Sequence, residues 1–210
     1  MLNNNWYKLA EEKMVNEYNI LEIPIKKEFQ EYSSIEAENY FNWYQSKIRE
    51  RIEYLFKACS SYNKINMEEI CFDKKSLIYI WKWFFSVAVI ERKSKIEIRF
   101  KKFKEDFSND DSEKFSIKTE YIIRDIGMYL GEMFVNNHSQ IYWTYYTQPN
   151  TDFFVNQPLL QGFEDKEFNP PYKMEFEPIH MVGVIAANMF DDTQRVEDLL
   201  DLYSQWEAYI

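Results

Sequence analysis

Apolar side chains recur at steps of three and four through the first half of the chain. Ala37, Phe41, Tyr44, Ile48, Ile52, Leu55 and Cys59 fall on one stripe, with Glu36, Lys47, Arg49, Glu50 and Glu53 off it. That period predicts an amphipathic helix. Ser33 followed by Glu36 is the sequence form of a capping box at its start. Before it, residues 4–18 read as a first helix and IPIKKEF (23–29) as a short extended link. After the polar run SSYNKIN, EEICF (68–72) reads as a short strand. Asp73 or Ser76 then opens a helix through SLIYIWKWFFSVAVI (76–90). That segment is apolar nearly all round, so it should be the most buried helix. A basic helix over 91–106 and a polar linker over 107–114 follow.

Beyond the linker the texture changes. No glycine precedes Gly127 and Pro24 is the only proline before Pro149, whereas residues 120–183 hold all four glycines and five of six prolines. Long helices therefore belong to the first half and turns to the second. A helix over 116–137 places Glu120, Arg124, Gly127 and Gly131 on one stripe, with Tyr121, Asp125, Met128 and Glu132 beside it. Two glycines one turn apart each cost a helix about 1 kcal/mol against alanine, so a close neighbour is expected there. QIYWTYYT (140–147) and FFVNQPLLQGF (153–163) alternate aromatic and branched residues between turn formers, which predicts an antiparallel pair. Residues 163–178 read as a loop that its prolines keep extended. Pro178 suits the first position of a helix, and Val196, Leu199, Leu200, Tyr203 and Trp206 share a face of the last one.

These elements define an α+β, predominantly helical chain: long N-terminal helices, a small antiparallel sheet in the C-terminal half and two C-terminal helices. One domain over 1–210 is expected, with a helical part (1–106) and an α+β part (115–210). The apolar run from Leu77 to Ile90 contains Lys82 and is shorter than the roughly twenty residues a bilayer requires, so no membrane association is expected. The start MLNNNWYKLAEEK lacks a basic stretch followed by an apolar run, and the two cysteines form no framework. Both observations point to a cytoplasmic protein, with Cys59 and Cys71 as reduced core residues.

Charge sharpens this picture. The net charge is −10, but residues 1–104 hold 19 Lys and Arg against 15 Asp and Glu, a balance of +4. Residues 105–210 hold 6 against 20, a balance of −14. Such a half repels phosphate backbones, so nucleic acid is disfavoured as a partner. The basic segment 91–104 reads as a solvated face with local ion pairs.

Asp125 and Glu132 stand two turns apart, roughly 10 Å along a helix axis, and are the candidate acid and base should the chain be an enzyme, with His180 as a third member. The competing reading is that both are structural, since buried carboxylates are usually paired. His138 and His180 lie in no metal-ligand spacing, and no dinucleotide, P-loop or serine-hydrolase motif is present. No cofactor and no metal are expected. Tyr142, Trp143, Tyr145 and Tyr146, with Tyr121, are the candidate binding residues, because at strand spacing only half of such a run can face a core. A self-associating scaffold using the helix around Trp81 and Trp83 is a further reading.

The runs SL…W.WF at 76–84, YIIRDIGMYLGE at 121–132, IYW at 141–143, FFVNQPLL at 153–160, FNPPYK at 168–173 and EPIHMVGVIAANMFD at 177–191 resemble an uncharacterised family of cytoplasmic proteins from low-GC Gram-positive bacteria. The resemblance covers about two-thirds of the chain and carries no catalytic residues with it. The helix containing YLGE followed by a strand pair is also similar to immunity proteins that accompany bacterial toxins. That resemblance implies a non-catalytic binder that captures a protein partner, such as a basic toxin, through an acidic aromatic surface. The alternative is a hydrolase or transferase acting on a small polar substrate through Asp125 and Glu132.

Overall fold

The computed structural model describes residues 18–63, 71–92 and 113–210. The helix read over 4–18 and the basic helix read over 91–106 therefore lie almost wholly outside the described residues, and the strand read at 68–72 lies mostly outside them.

The long helix α1 spans Ser34–Asn63. The Ser33 amide donates to Glu36 Oε2 at 2.9 Å, and the Glu36 amide returns to Ser33 Oγ at 3.3 Å. This is the reciprocal capping the spacing predicts. Ala37, Tyr44, Ile48, Ile52, Leu55 and Cys59 are buried along it. Tyr40 and Arg51 are buried beside them, while Phe41 is only half-buried. Helix α2 runs Lys74–Val87, opened by Asp73, whose side chain accepts from the Ser76 amide. It buries Leu77, Ile80, Trp81, Trp83, Phe84 and Val87.

α2 stops three residues short of its predicted end. Ile90–Arg92 instead forms β1, paired antiparallel with β2 (Glu113–Phe115) in the register Ile90↔Phe115. Thr119 explains the exit: its hydroxyl accepts from the Val89 amide at 2.9 Å and draws the chain out of helical geometry. The polar linker thus ends in a strand. Cys71 is exposed, not a core residue, and both cysteines are free.

Helix α3, Ile117–Asn137, is capped by Ser116 and is the centre of the molecule. Every residue from Ile122 to Gly131 is buried. A methyl group on Gly127 would lie 2.7 Å from the Ile179 backbone, and one on Gly131 would overlap the Trp143 indole. The paired glycines are the places where a crossing helix and a ring come closest.

The second sheet has the order β3-β4-β5: Tyr142–Thr144, Leu159–Asp165 and Tyr172–Phe176, all antiparallel. Residues 153–156 turn instead of opening β4. Asp152 accepts from the Phe154 amide, and Asn156 takes a positive φ of 63°. The segment read as a proline-extended loop contains β5, because Lys173 and Glu175 alternate with Met174 and Phe176. Its two adjacent prolines are confined to the hairpin connection. Gly162, at φ 111°, absorbs a bulge between Leu160 and Phe163. A side chain there would strike the Gln140 carbonyl.

Helix α4, Pro178–Ala186, crosses α3 and continues as a 3-10 turn over Ala187–Asp191. Helix α5, Asp198–Glu207, lays Leu199, Leu202 and Tyr203 into the core. The main core draws buried side chains from Tyr18 on the N-terminal side through Tyr203, with Trp206, Tyr209 and Ile210 packed against it.

Candidate functional site

Asp125 is fully buried on the side of α3 that meets α1. Arg51 grips it with Nε 3.0 Å from Oδ1 and Nη2 2.5 Å from Oδ2, and the Tyr18 hydroxyl donates to Oδ2 at 2.6 Å. Arg51 Nη2 also donates to the Asn19 carbonyl at 2.9 Å. Burial pushes the Asp125 carboxyl up, while the guanidinium and the phenol pull it back. Both oxygens are engaged by donors from other segments and the side chain has no solvent exposure. The partners are Arg51 of α1 and Tyr18, which precedes it.

Glu132 faces elsewhere. Its Oε1 accepts from Trp143 Nε1 at 2.7 Å, and Asn136 Nδ2 stands 3.4 Å from Oε2. The Trp143 ring lies against Gly131 and meets Tyr44 edge-on, with centroids 5.3 Å apart. Glu132 and Trp143 are thus brought together, but Asp125 does not join them. The two acids address different neighbours of α3: Arg51 and Tyr18 for Asp125, Trp143 and Asn136 for Glu132.

His180 is exposed, its ring 5.3 Å from Phe153 and 5.4 Å from Phe154. The buried group in that turn is Glu177, which caps α4 by accepting from the Ile179 and His180 amides. Burial raises its carboxyl from the ordinary 4.5 to about 7, against the pull of those amides. His138, at the C-terminal end of α3, shares a hydrogen bond of 3.0 Å with the Tyr203 hydroxyl. Among the described residues no group of acids, histidines and cysteines could hold a metal ion.

The candidate binding rings separate into two sets. Trp143, Tyr145 and Tyr146 are half-buried. Tyr145 packs against Phe41 in a tilted arrangement with centroids 4.8 Å apart, and the Tyr146 hydroxyl donates to Asp152. Tyr121 is half-buried beneath the Arg124 guanidinium, 4.3 Å from its centroid, at a cleft of about 630 Å³ edged by Ile20, Ile23 and Ile25. Tyr142 alone stands well out, 53% exposed.

Tyr142 lies on the outer face of the three-stranded sheet. Its hydroxyl donates to Gln161 at 3.3 Å, and Gln161 donates onward to Glu175 at 2.9 Å. Glu164 and Lys173 complete the face around a depression of about 140 Å³ over the Gly162 bulge. At the β4–β5 hairpin tip, Phe168 and Tyr172 are 59% and 64% exposed with ring centroids 6.1 Å apart. Residues 140–176 hold five acids against two lysines. The outer face itself carries Tyr142, Gln161, Glu164 and Glu175 against the single Lys173, with the exposed rings of the hairpin tip beside it. Phe168 and Tyr172 were missed in sequence because they sit beside prolines. The alternation of Tyr172 to Phe176 was the available signal.

The fold and this face define the chain as an α+β protein with a buried polar lattice around a central helix and an aromatic-edged sheet surface. Compared with family models, curated proteins and solved structures, the chain matches none. Among the described residues no helix is long and apolar enough to cross a membrane.

Proposed function

We propose that this is a non-catalytic cytoplasmic binding protein, of the immunity type, that captures a basic protein partner on the outer face of the β3-β4-β5 sheet. The observation that carries the reading is the exposed Tyr142 beside Glu164 and Glu175 on that face, with the exposed rings Phe168 and Tyr172 and the acid Glu167 at the neighbouring β4–β5 hairpin tip. Large amphipathic rings anchor interfaces, and an acidic rim speeds encounter with a cationic partner. The hydrolase or transferase alternative loses its main support, since Asp125 is held by Arg51 and Tyr18 and Glu132 by Trp143.

The test is retention of a protein from the native cell on immobilised chain, followed by rebinding of that purified partner. Wild type is expected to bind it with strong salt sensitivity, and Tyr142→Ala/Phe168→Ala to lose it. Unchanged binding by the double variant, or retention of a small metabolite alone, would overturn the reading.

A further inference from the structure

β5 is an edge strand. Its inner neighbour is β4, and none of its outward backbone groups is bonded to another described residue. Tyr172, Lys173 and Glu175 are exposed along it, and Met174 is half-buried. Unpaired strand edges are templates for another strand, and natural proteins usually blunt them with charge. Lys173 and Glu175 supply that charge, but with opposite signs two residues apart on one face. Glu175 is held on the outer face by Gln161, and Lys173 has no ion-pair partner among the described residues.

That spacing selects one occupant. Two copies of β5 can pair antiparallel about a twofold axis that keeps both outer faces on the same side. Because side chains directly opposite one another share a face, such an axis must pass through a residue. Centring on Lys173 sets lysine against lysine, and centring on Glu175 sets glutamate against glutamate. Centring on Met174 sets Lys173 against Glu175 of the second copy twice over, and Tyr172 against Phe176 on the inner face. Like charges directly opposite are destabilising and unlike ones stabilising. We propose that β5 pairs with β5 of a second copy of this chain, antiparallel and centred on Met174, forming a continuous six-stranded sheet.

The prolines before Tyr172 and Pro178 beyond Phe176 limit the pairing to one short strand from each copy. Stable interfaces generally bury about 800 Å² per partner, so a dimer this small is concentration-dependent. It would join two acidic faces side by side without covering Tyr142, and it does not rest on the partner reading.

Sedimentation velocity on the full chain, from micromolar to millimolar concentration, tests it. Wild type is expected to show a reversible monomer–dimer equilibrium. Lys173→Glu and Glu175→Lys should each weaken it about tenfold, since each sets two like-charge pairs in the register. An equimolar mixture of the two variants should restore dimers, because their charges then complement, and this rescue also shows that both are folded. A strict monomer throughout, a dimer indifferent to both reversals, or a mixture without rescue would each overturn the proposal. Tyr142→Ala/Phe168→Ala leaves β5 unchanged and should still dimerise, so failure of partner capture is distinguishable from failure of self-pairing.

Discussion

Arg51 and Asp125 are buried together, and each depends on the other. Removing one member of a buried ion pair strands the remaining charge and costs roughly 3–5 kcal/mol. Arg51→Met is therefore expected to lower unfolding free energy by about that amount in urea titration, with Asp125→Leu added recovering much of it. A loss under about 1 kcal/mol would show that the pair is solvated. Glu177 behaves differently, since burial raises its carboxyl from 4.5 to about 7. A raised folded-state value means that its contribution is fully present below pH 4.5 and is lost as pH climbs through about 7. The loss approaches about 3 kcal/mol at the alkaline end. Glu177→Gln keeps an acceptor for the α4 amides without the charge. It should flatten the stability profile across that window, as read by chemical denaturation at stepped pH. An unaltered slope would place the titration elsewhere.

Among the elements, α3 depends most on what touches it. Gly131→Ala forces a methyl group into the Trp143 indole and puts the Trp143–Glu132 hydrogen bond at risk. Overpacking of that kind costs about 1–3 kcal/mol. Gly183 in α4 is the control: a methyl there meets only Ile123, at an ordinary 4.0 Å. Gly183→Ala should stabilise by about 0.5–1 kcal/mol through helix propensity. Opposite shifts in thermal midpoint from the same chemical change would locate the contact. Equal shifts would show that the α3 glycines are not packing-limited.

At the scale of the molecule, the core mixes both halves. Tyr44, Ile48 and Leu55 of α1 share a cluster with Phe134 of α3, Phe163 of β4 and Tyr203 of α5. Tryptophan fluorescence and far-UV circular dichroism are therefore expected to report one coincident unfolding transition. Two separated transitions would mean that the halves fold independently.

Local chemistry was legible in the residues themselves. The helical period over 37–59, the Ser33–Glu36 box, a helix opening at Asp73 and Pro178 at a helix start all act within one or two turns. A sequence window contains every group involved, and the α+β class followed from them. What only the tertiary structure decided was pairing over distance. Asp125 is held by side chains 74 and 107 residues away, and Trp143 is turned inward by Gly131 and Glu132 while Tyr142 is left outside. The end of α2 at Val87 was set by a hydroxyl thirty residues downstream. Burial and hydrogen-bond partnership depend on which surfaces meet, and periodicity constrains which face is apolar without naming what will cover it.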